Sequence, residues 1–342
     1  MTSLRDNIGS MRAATLPAPG PIESSPLAMA EVPEPELGPG ELLFTVDACA
    51  ICRTDLQIAE GDIQPRKQPV VPGHQVVGRV VAAGPGVTGW APGDRAGVAW
   101  LAGACGECGY CREGRENLCE EATFTGWDRD GGFAERMTAH ADYAIPLPLD
   151  ADPISLAPLL CGGVIGYRSL RVSGIQPGQR LGLYGFGASA RLAIQVALSW
   201  GCEVFVATRS EAEQQRAREL GAAWTGGYDT PMPARLHAAV TFAPAGDVVI
   251  SALKALAPGG TVAINAIHLD RIPGFDYDWL WRERSLKSVA NFTRADAREF
   301  LDLAVTIPIT TDPVSHRLTD VNEALRALKN GSLPGTGVLI PR

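Results

Sequence analysis

Residues 180–208 read RLGLYGFGASARLAIQVALSWGCEVFVAT, and this stretch decides the fold of the second half of the chain. Arg180–Tyr184 is a short apolar run, typical of a buried strand. A glycine-rich turn follows, and apolar residues at 192, 194, 196 and 197 then indicate a helix that ends before Gly201. Glu203–Thr208 is a second apolar run. The order strand, turn, helix, strand predicts a parallel βαβ unit.

The turn in this unit has the composition of a dinucleotide-binding motif. Gly185-Phe186-Gly187-Ala188-Ser189-Ala190 matches the pattern G-x-G-x-x-G/A. The first glycine permits a tight turn, the second lets a pyrophosphate approach the backbone, and the small last residue lets the helix pack against the strand. The phosphates then lie against the amide-rich N-terminus of the helix. An ordinary glycine turn is the alternative, but the flanking elements favour a dinucleotide site.

The end of the second strand predicts which dinucleotide is bound. NAD sites place Asp or Glu there to hold the ribose 2′-hydroxyl. This chain has Thr208-Arg209-Ser210, where a guanidinium and two hydroxyls can bind a 2′-phosphate. These residues predict NADP(H). The alternative is that Arg209 is a solvated surface arginine.

Strands and helices continue to alternate after this unit. The predicted elements are a helix at 211–220, a helix that follows Asp247–Ile250 and ends at Pro258-Gly259-Gly260, a strand at 261–264, helices at 296–305 and 320–329, and a strand at 337–340. We therefore expect an α/β fold with a doubly wound parallel sheet, a Rossmann dinucleotide-binding domain, over residues 156–293.

The first 150 residues have a different pattern. Short β-rich runs such as Glu41–Val46 and Val76–Ala82 lie between Pro-Gly pairs. The whole chain has 38 glycines and 26 prolines, which indicates many tight turns. We predict an irregular β-rich domain over residues 1–155, completed by residues 294–342.

Four cysteines cluster within this β-rich part of the chain. Cys105, Cys108, Cys111 and Cys119 have the spacing C-x2-C-x2-C-x7-C, in a lobe over residues 103–120. Two-residue gaps let thiolates converge on one point, which predicts a structural zinc with four sulfur ligands at about 2.3 Å. A pair of disulfides is the alternative. A closed site of this kind does no chemistry, so the reaction must take place elsewhere.

Composition limits the class of partner. The net charge of −8 argues against a nucleic-acid surface and against an anionic membrane surface. No stretch of about 18 apolar residues is present to span a membrane. Residues 1–10 lack the apolar core of a secretory signal, so we expect a cytoplasmic protein whose thiols stay reduced.

Three more residues complete a pattern. Cys52 lies in AICRTD, His74 in PGHQ and Cys161 in LCGG, near the join between the two predicted domains. Together with the four-cysteine lobe and the glycine motif, they resemble the zinc-dependent medium-chain alcohol dehydrogenase family, in the family's order. The resemblance runs from about Met11 over nearly the whole chain, and is nearest to the yeast and bacterial type. It implies a GroES-like catalytic domain beside the Rossmann domain.

The resemblance implies roles for individual residues. Cys52, His74 and Cys161 would hold a catalytic zinc and leave a fourth position for water or alcohol, which gives two zincs per chain. Asp55 would orient His74, Thr54 would bind the substrate oxygen and begin a proton relay, and Arg53 would contact the cofactor pyrophosphate. The implied substrate pocket is moderately apolar; its candidates are Trp100, Phe124, Trp127 and Ile267.

The chain departs from the family at three places. Gln75 follows the ligand His74 where many members have Glu, which removes a negative charge near the metal. Gln57 stands where many members have a His that passes the proton to solvent, so we expect a shifted pH optimum rather than lost activity. The family's usual C-terminal Arg is absent from Gly335-Thr336-Gly337.

The sequence therefore predicts an NADP(H)-dependent alcohol dehydrogenase or aldehyde reductase that favours carbonyl reduction. Relatives that act on polyols or cinnamyl-type aldehydes are an alternative within the same class. A zinc- and nucleotide-binding sensor or scaffold with little turnover is the alternative from another class, favoured only by Gln57 and Gln75. The resemblance also implies a homodimer or homotetramer.

Overall fold

The computed structural model describes residues 9–266, 269–307 and 309–341. They divide into two compact units. The first unit contains the chain up to Cys161, residues 293–298 and the chain from Thr310 onward; the second contains Gly162–Phe292 and Glu299–Ile309. The predicted α/β class is confirmed, with a β-rich first unit and a parallel sheet in the second.

Strands dominate the first unit. Up to Cys161 its elements are β1 (Ser10–Thr15), β2 (Ala28–Pro33), β3 (Glu41–Ala50), α1 (Arg53–Glu60), β4 (Gln75–Ala83), β5 (Arg95–Val98), β6 (Leu101–Gly103), α2 (Gly109–Arg112), β7 (Thr123–Phe124), β8 (Arg136–His140), β9 (Ala144–Pro146) and α3 (Pro153–Leu156). A 3-10 helix, Ala157–Leu160, leads to Cys161.

The second unit alternates strands and helices. Its elements are α4 (Gly162–Ser173), β10 (Arg180–Tyr184), α5 (Ala188–Ser199), β11 (Glu203–Ala207), α6 (Glu211–Glu219), β12 (Trp224–Gly226), β13 (Leu236–Thr241), α7 (Gly246–Ala255), β14 (Leu256–Ile264), α8 (Tyr277–Leu280) and β15 (Ser285–Ser288). The chain then forms α9 (Arg294–Thr306), whose residues are divided between the units, and returns to the first unit as β16 (Pro313–Arg317), α10 (Val321–Lys329) and β17 (Thr336–Ile340).

The sheet of the first unit positions two predicted ligands. Within the described residues its strand order is β16-β17-β3-β4-β5-β9, and β8 also pairs with β3. In the antiparallel register of β3 and β4, Ala50 lies opposite Gln75. Cys52 follows Ala50 by two residues and His74 directly precedes Gln75, so the register brings these two side chains to the same end of the strand pair.

The sheet of the second unit has the order β12-β11-β10-β13-β14-β15 in the described part of the chain, and its neighbouring strands are all parallel. Numbered along the chain, this order is 3-2-1-4-5-6, the strand order of a Rossmann fold. The turn Gly185–Gly187 leaves the carboxyl end of β10, the first strand. Dinucleotides bind at this edge of such sheets.

Two details differ from the predicted elements. The helix predicted to end at Pro258-Gly259-Gly260 ends earlier, at Ala255, because Leu256 is fully buried and already extended in the strand pair with Leu236. Pro258 cannot be the helix end, since it lies within β14. Asp247–Ile250, predicted to precede this helix, are part of it. The strand β13 lies upstream of them and was not predicted, because it carries no strong apolar run.

The units and the predicted domain boundaries differ at both junctions. Residues 156–161 belong to the first unit, because Leu160 packs so closely on β5 that a Cβ on Gly97 would lie 2.6 Å from its Cδ2. Residues 299–309 belong to the second, where the ring of Phe300 lies 5.9 Å from that of Tyr167. Among the helices described, none is long and apolar enough to cross a membrane.

Candidate functional site

Three predicted ligands meet in the first unit. Cys52, His74 and Cys161 each offer one ligand atom, and these atoms lie within 4.8 Å of one another. Sγ of Cys52 is 3.3 Å from Nε2 of His74. Ordinary Zn–S and Zn–N bond lengths at a tetrahedral angle would separate these two atoms by about 3.6 Å. The three side chains are therefore close enough to share one ion.

Cys52 is held by the helix that follows it. It is the N-cap residue of α1, and its sulfur accepts a hydrogen bond from the backbone N–H of Thr54 at 3.3 Å. Its own N–H donates to Oδ2 of Asp55 at 2.8 Å. Backbone amides and the helix dipole both favour a thiolate at this position.

The other oxygen of Asp55 orients His74. Oδ1 of Asp55 lies 3.0 Å from Nδ1 of His74, and both residues are 1% exposed. Because a carboxylate can only accept, the Nδ1–H of His74 donates to Asp55, and this hydrogen bond turns Nε2 toward Cys52. The predicted orienting role of Asp55 thus has the geometry that it requires.

A glycine places His74 beside the cysteine. Gly73 has φ +97°, and a Cβ at this position would lie 2.4 Å from Cδ1 of Phe133 and 2.9 Å from Sγ of Cys49. Only glycine meets both demands. Gln75 follows, 2% exposed, and its Nε2 donates to the carbonyl of Ala50 at 3.3 Å.

The thiols and the imidazole perturb one another. The hydrogen bond from Cys161 holds the pKa of the Cys52 thiol well below its ordinary value, and His74 and Thr54 act in the same direction. The same hydrogen bond, together with burial, raises the pKa of Cys161 well above its ordinary value. Burial would lower the pKa of His74, but Asp55 and Cys52 raise it well above that of a free imidazole. Two partly buried cysteines and one buried imidazole, with pKa values shifted by one another, form a donor set suited to a dication.

A second group of four sulfurs forms the predicted lobe. The ligand atoms of Cys105, Cys108, Cys111 and Cys119 lie within 4.8 Å of one another. Sγ of Cys105 is 3.9 Å from that of Cys111 and 3.6 Å from that of Cys119. Tetrahedral Zn–S bonds of about 2.3 Å separate sulfurs by about 3.8 Å. The alternative of two disulfides is wrong, since these cysteines are all free.

Backbone amides also turn toward the sulfurs of the lobe. The N–H of Cys108 donates to Sγ of Cys105 at 3.3 Å, and that of Cys111 donates to Sγ of Cys108 at 3.5 Å. The amides of Cys108 and Glu107 lower the pKa of Cys105 to about 7, whereas burial raises that of Cys111 to about 12. Such amide contacts stabilise thiolates, as a four-sulfur zinc site requires.

The lobe is attached to α9 through a buried carboxylate that the sequence did not single out. Glu116 is 3% exposed, and its Oε1 accepts hydrogen bonds from the backbone N–H of Arg294 at 2.7 Å and from its Nε at 3.2 Å. The guanidinium of Arg294 also lies over the ring of Tyr143, at 5.0 Å. This contact fixes the lobe within the first unit.

Three predicted pocket residues form one aromatic cluster next to His74. The Trp100 ring meets that of His74 edge-on at 4.9 Å and stacks on Phe124 at 5.2 Å and on Trp127 at 5.9 Å. The guanidinium of Arg66 lies 4.0 Å above Trp127 at the outer end of the cluster. The fourth candidate, Ile267, lies outside the described residues.

The glycine motif of the second unit has the predicted conformation. Gly185 has φ +87°, and a Cβ there would lie 2.9 Å from the backbone nitrogen of Ala243. Gly187 is the N-cap of α5, and a Cβ built on it meets nothing within 4 Å in the described structure. Ala190 is fully buried where α5 packs. Phe186 is buried, and Ala188 and Ser189 form the first turn of α5. The space above Gly187 and the free first turn of the helix fit a pyrophosphate.

The residues predicted to select the cofactor follow β11. Thr208 is 2% exposed, Arg209 is exposed, and Ser210 is the N-cap of α6. The guanidinium of Arg209 lies 6.0 Å from the ring of Tyr228. The Thr208 hydroxyl donates to Oε2 of Glu213. Sequence reasoning missed Glu213 and Tyr228, because neither lies at the strand end itself.

The remaining candidates occupy α1. Thr54 is 7% exposed, and Arg53 is exposed at the first residue of the helix. Gln57 lies one turn further along and is partly exposed. Cys49 and Cys202, the two cysteines outside both ligand groups, are 0% and 4% exposed.

Comparisons with known proteins give one consistent result. The family profile described as "Alcohol dehydrogenase GroES-like domain" matches residues 38–149, and that described as "Zinc-binding dehydrogenase" matches residues 190–306. The chain is 45% identical to "Probable alcohol dehydrogenase AdhA" of Mycobacterium tuberculosis over 97% of each chain.

Solved structures agree with these matches. A thermostable alcohol dehydrogenase from Pyrobaculum aerophilum with cobalt and zinc bound has a TM-score of 0.87 at 25% identity, over 97% of this chain and 100% of that one. A Sinorhizobium meliloti protein described as a "putative zinc-binding dehydrogenase" and bound to NADP has a TM-score of 0.85 at 27% identity, over 97% of this chain and 100% of that one. The GroES-like part of the predicted fold is thereby confirmed.

Proposed function

This chain belongs to the zinc-dependent medium-chain alcohol dehydrogenase family, and from that premise we propose that it is an NADP(H)-dependent alcohol dehydrogenase working mainly as a reductase of aldehydes or ketones. The family makes it an oxidoreductase acting on alcohols. The observation that carries the proposal is the meeting of Cys52 and Cys161 with the buried His74 in one group, with Asp55 behind the imidazole.

Cys52, His74 and Cys161 would hold the catalytic zinc. The donor set fits, because two sulfurs and an imidazole nitrogen are the ligands of a Cys2His catalytic site. When bound, zinc would lower the pKa of an alcohol or polarise a carbonyl at this site. Cys105, Cys108, Cys111 and Cys119 would hold a second, structural zinc, which gives two zincs per chain.

The chain's own residues orient the ligands and move the proton. Asp55 keeps the Nδ1 proton on His74, so that Nε2 is available as a ligand. Thr54 is buried two residues after Cys52, and we propose that its hydroxyl exchanges the proton that the substrate oxygen gains or loses. Gln57 cannot titrate near neutral pH, so the proton reaches solvent by another route.

NADP(H) would bind through the second unit. Gly185, Gly187 and the first turn of α5 would receive the pyrophosphate, with Phe186, Ala188, Ser189 and Ala190 shaping the turn. Arg209 and Ser210 would bind the 2′-phosphate next to Thr208, whose own hydroxyl donates to Glu213, and Arg53 is assigned to the pyrophosphate as well. Preference for NADPH favours reduction in a cell that keeps this cofactor reduced.

The aromatic cluster Trp100, Phe124 and Trp127 supports an apolar substrate pocket, since its inner ring contacts the ligand His74. We assign Ile267 to the same pocket on the sequence alone. A small-molecule alcohol or aldehyde is the substrate class, with no nucleic-acid or membrane partner. We also propose a cytoplasmic location and a homodimer or homotetramer.

One screen tests the proposal. Purified protein is assayed with a panel of aldehydes, ketones and alcohols, with NADPH and NADH in parallel, and its zinc is measured by plasma mass spectrometry. We expect turnover, a larger kcat/KM with NADPH, and about two zincs per chain. Tight NADPH binding without turnover in a fully zinc-loaded sample would refute the enzyme assignment.

A further inference from the structure

A carboxylate stands beside the end of β11, although residues 208–210 contain none. The Thr208 hydroxyl donates to Oε2 of Glu213, and the Thr208 N–H donates to the carbonyl of Gly226 at 2.8 Å. Thr208 is 2% exposed, and these two hydrogen bonds hold both its side chain and its backbone. The Glu213 carboxylate is thus fixed at the carboxyl end of a parallel strand, the edge at which the adenosine half of a dinucleotide lies.

Helix capping does not account for this position. Ser210 is the N-cap of α6, and its Oγ accepts the N–H of Glu213 at 3.3 Å. In a Ser-x-x-Glu capping box the Glu side chain would reach back to the backbone N–H of the cap residue. Here the Glu213 side chain turns to Thr208 instead. The cap is formed by serine alone, and the carboxylate faces the strand end.

A positive charge flanks the same place. Arg209 directly follows Thr208, and its guanidinium lies 6.0 Å from the ring of Tyr228. Tyr228 follows β12 by two residues and borders Thr208. Arg209 and Glu213, of opposite charge, therefore both lie next to Thr208 and near the ring of Tyr228.

We propose that Glu213 is a specificity-determining residue that opposes Arg209, so that the chain accepts NADH as well as NADPH. The Glu213 carboxylate accepts the ribose 2′-hydroxyl of NADH, as an acidic residue does in NAD sites. It repels the 2′-phosphate of NADPH, which carries between one and two negative charges near neutral pH. The inference rests on the proposed binding of NADP(H) by this unit.

Glu213→Gln separates charge from shape. The amide keeps an oxygen for the Thr208 hydroxyl and removes the negative charge. The matched control is Glu211→Gln, because Glu211 is the other acidic residue in the first turn of α6, and its neutralisation changes the net charge equally and the helix-dipole interaction similarly. Melting temperatures of both variants verify that they are folded.

Binding is measured by calorimetry with adenosine 2′,5′-bisphosphate, AMP, NADPH and NADH. The first two probes need neither zinc nor turnover, and they differ by the 2′-phosphate. We expect Glu213→Gln to raise the ratio of affinities, bisphosphate over AMP, about tenfold, which corresponds to ~1.4 kcal/mol. The ratio of affinities for NADPH over NADH should rise by a similar factor. Glu211→Gln should leave both ratios within about twofold of those of the native protein.

The result separates the two proposals. An unchanged ratio in folded Glu213→Gln overturns the role of Glu213, whatever the native preference is. An equal rise in Glu211→Gln also overturns it, because the effect would then come from overall charge. If the native protein binds AMP as tightly as the bisphosphate, and Arg209→Gln leaves that ratio unchanged, the proposed NADP(H) preference is overturned. The measurement on Glu213→Gln still tests the role of Glu213 in that case.

Discussion

The carboxylate of Asp55 lies 3.0 Å from Nδ1 of His74, while its other oxygen accepts the backbone N–H of Cys52 at 2.8 Å. One side chain thus fixes two members of the ligand group. The same bonds cap α1 and set the imidazole tautomer, so helix start and metal site are one structural feature.

Asp55→Asn should weaken the metal site selectively. Asparagine can still accept the Cys52 N–H, but its amide can donate to Nδ1 of His74 and so turn the imidazole proton toward the metal. Loss of such an orienting carboxylate costs about 10- to 100-fold in metal affinity. Competition with a chelator of known zinc affinity measures it. We expect a loss of about one zinc per chain, with the four-cysteine site still loaded.

Asp62→Asn, at an exposed position just after the same helix, is the control for the loss of a carboxylate. Equal zinc content and unchanged affinity in Asp55→Asn would contradict the orienting role.

Much of this site follows from sequence because its signals are local. Spacing alone brings Cys105, Cys108 and Cys111 together, and the strand–turn–helix context around Gly185 fixes the dinucleotide turn. The meeting of Cys52 and His74 was implied only by the resemblance, because it depends on the register of β3 with β4, and pairing between distant strands is not encoded in any short window.

The missed features depend on tertiary packing. Glu213 reaches Thr208 only because the chain turns at Ser210 into α6. Cys52 is not a usual N-cap residue, so the hydrogen bond that its sulfur accepts from the Thr54 N–H had no sequence signal. The strand β13, LHAAVT, has weak β-propensity and becomes a strand because it is buried at the middle of the parallel sheet. Nothing in the sequence distinguishes Glu116 from a surface acid, because its role depends on its hydrogen bonds to the distant Arg294.

Gly73→Ala should destabilise the first unit. The new Cβ would lie 2.4 Å from a Phe133 ring carbon, and alanine is strained at φ +97°. Strain and overpacking each cost about 1–3 kcal/mol. Urea denaturation of the zinc-loaded protein measures the change in the free energy of unfolding.

The matched control is Gly86→Ala, at φ +83° with nothing within 4 Å of the new Cβ among the described residues. It should pay the backbone cost alone, about 1 kcal/mol. If both variants lose the same stability, the close packing of Gly73 has no energetic weight.

Glu116→Gln tests the attachment of the four-cysteine lobe. Burial would raise the pKa of Glu116, but hydrogen bonds and the charge of Arg294 hold it below its ordinary value. A carboxyl whose pKa is depressed by folding stabilises the fold above its unfolded pKa of about 4.5, and this stability is lost as the pH falls through the folded-state pKa. Bonds to charged groups of this kind contribute about 1.5–3 kcal/mol.

We therefore expect Glu116→Gln to unfold at lower urea than the native protein at pH 7, and the difference to shrink below about pH 4.5. Both proteins keep the four cysteines, so acid-driven loss of metal affects them alike. A difference that grows on acidification would have the wrong sign for this ion pair.

Arg209→Asp should discriminate between the two cofactors. Reversing the charge removes the proposed partner of the 2′-phosphate and adds a second repulsive carboxylate near Glu213. Because hydrogen bonds to charged groups contribute about 1.5–3 kcal/mol, kcat/KM with NADPH should fall about 10- to 100-fold. The value with NADH should change by less than about threefold. Steady-state kinetics with one aldehyde and both cofactors measures the two effects, and Arg216→Asp, on the following helix, controls for net charge. Equal losses with NADPH and NADH would mean that Arg209 does not contact the 2′-phosphate, and the predicted NADP(H) preference would then have no residue behind it.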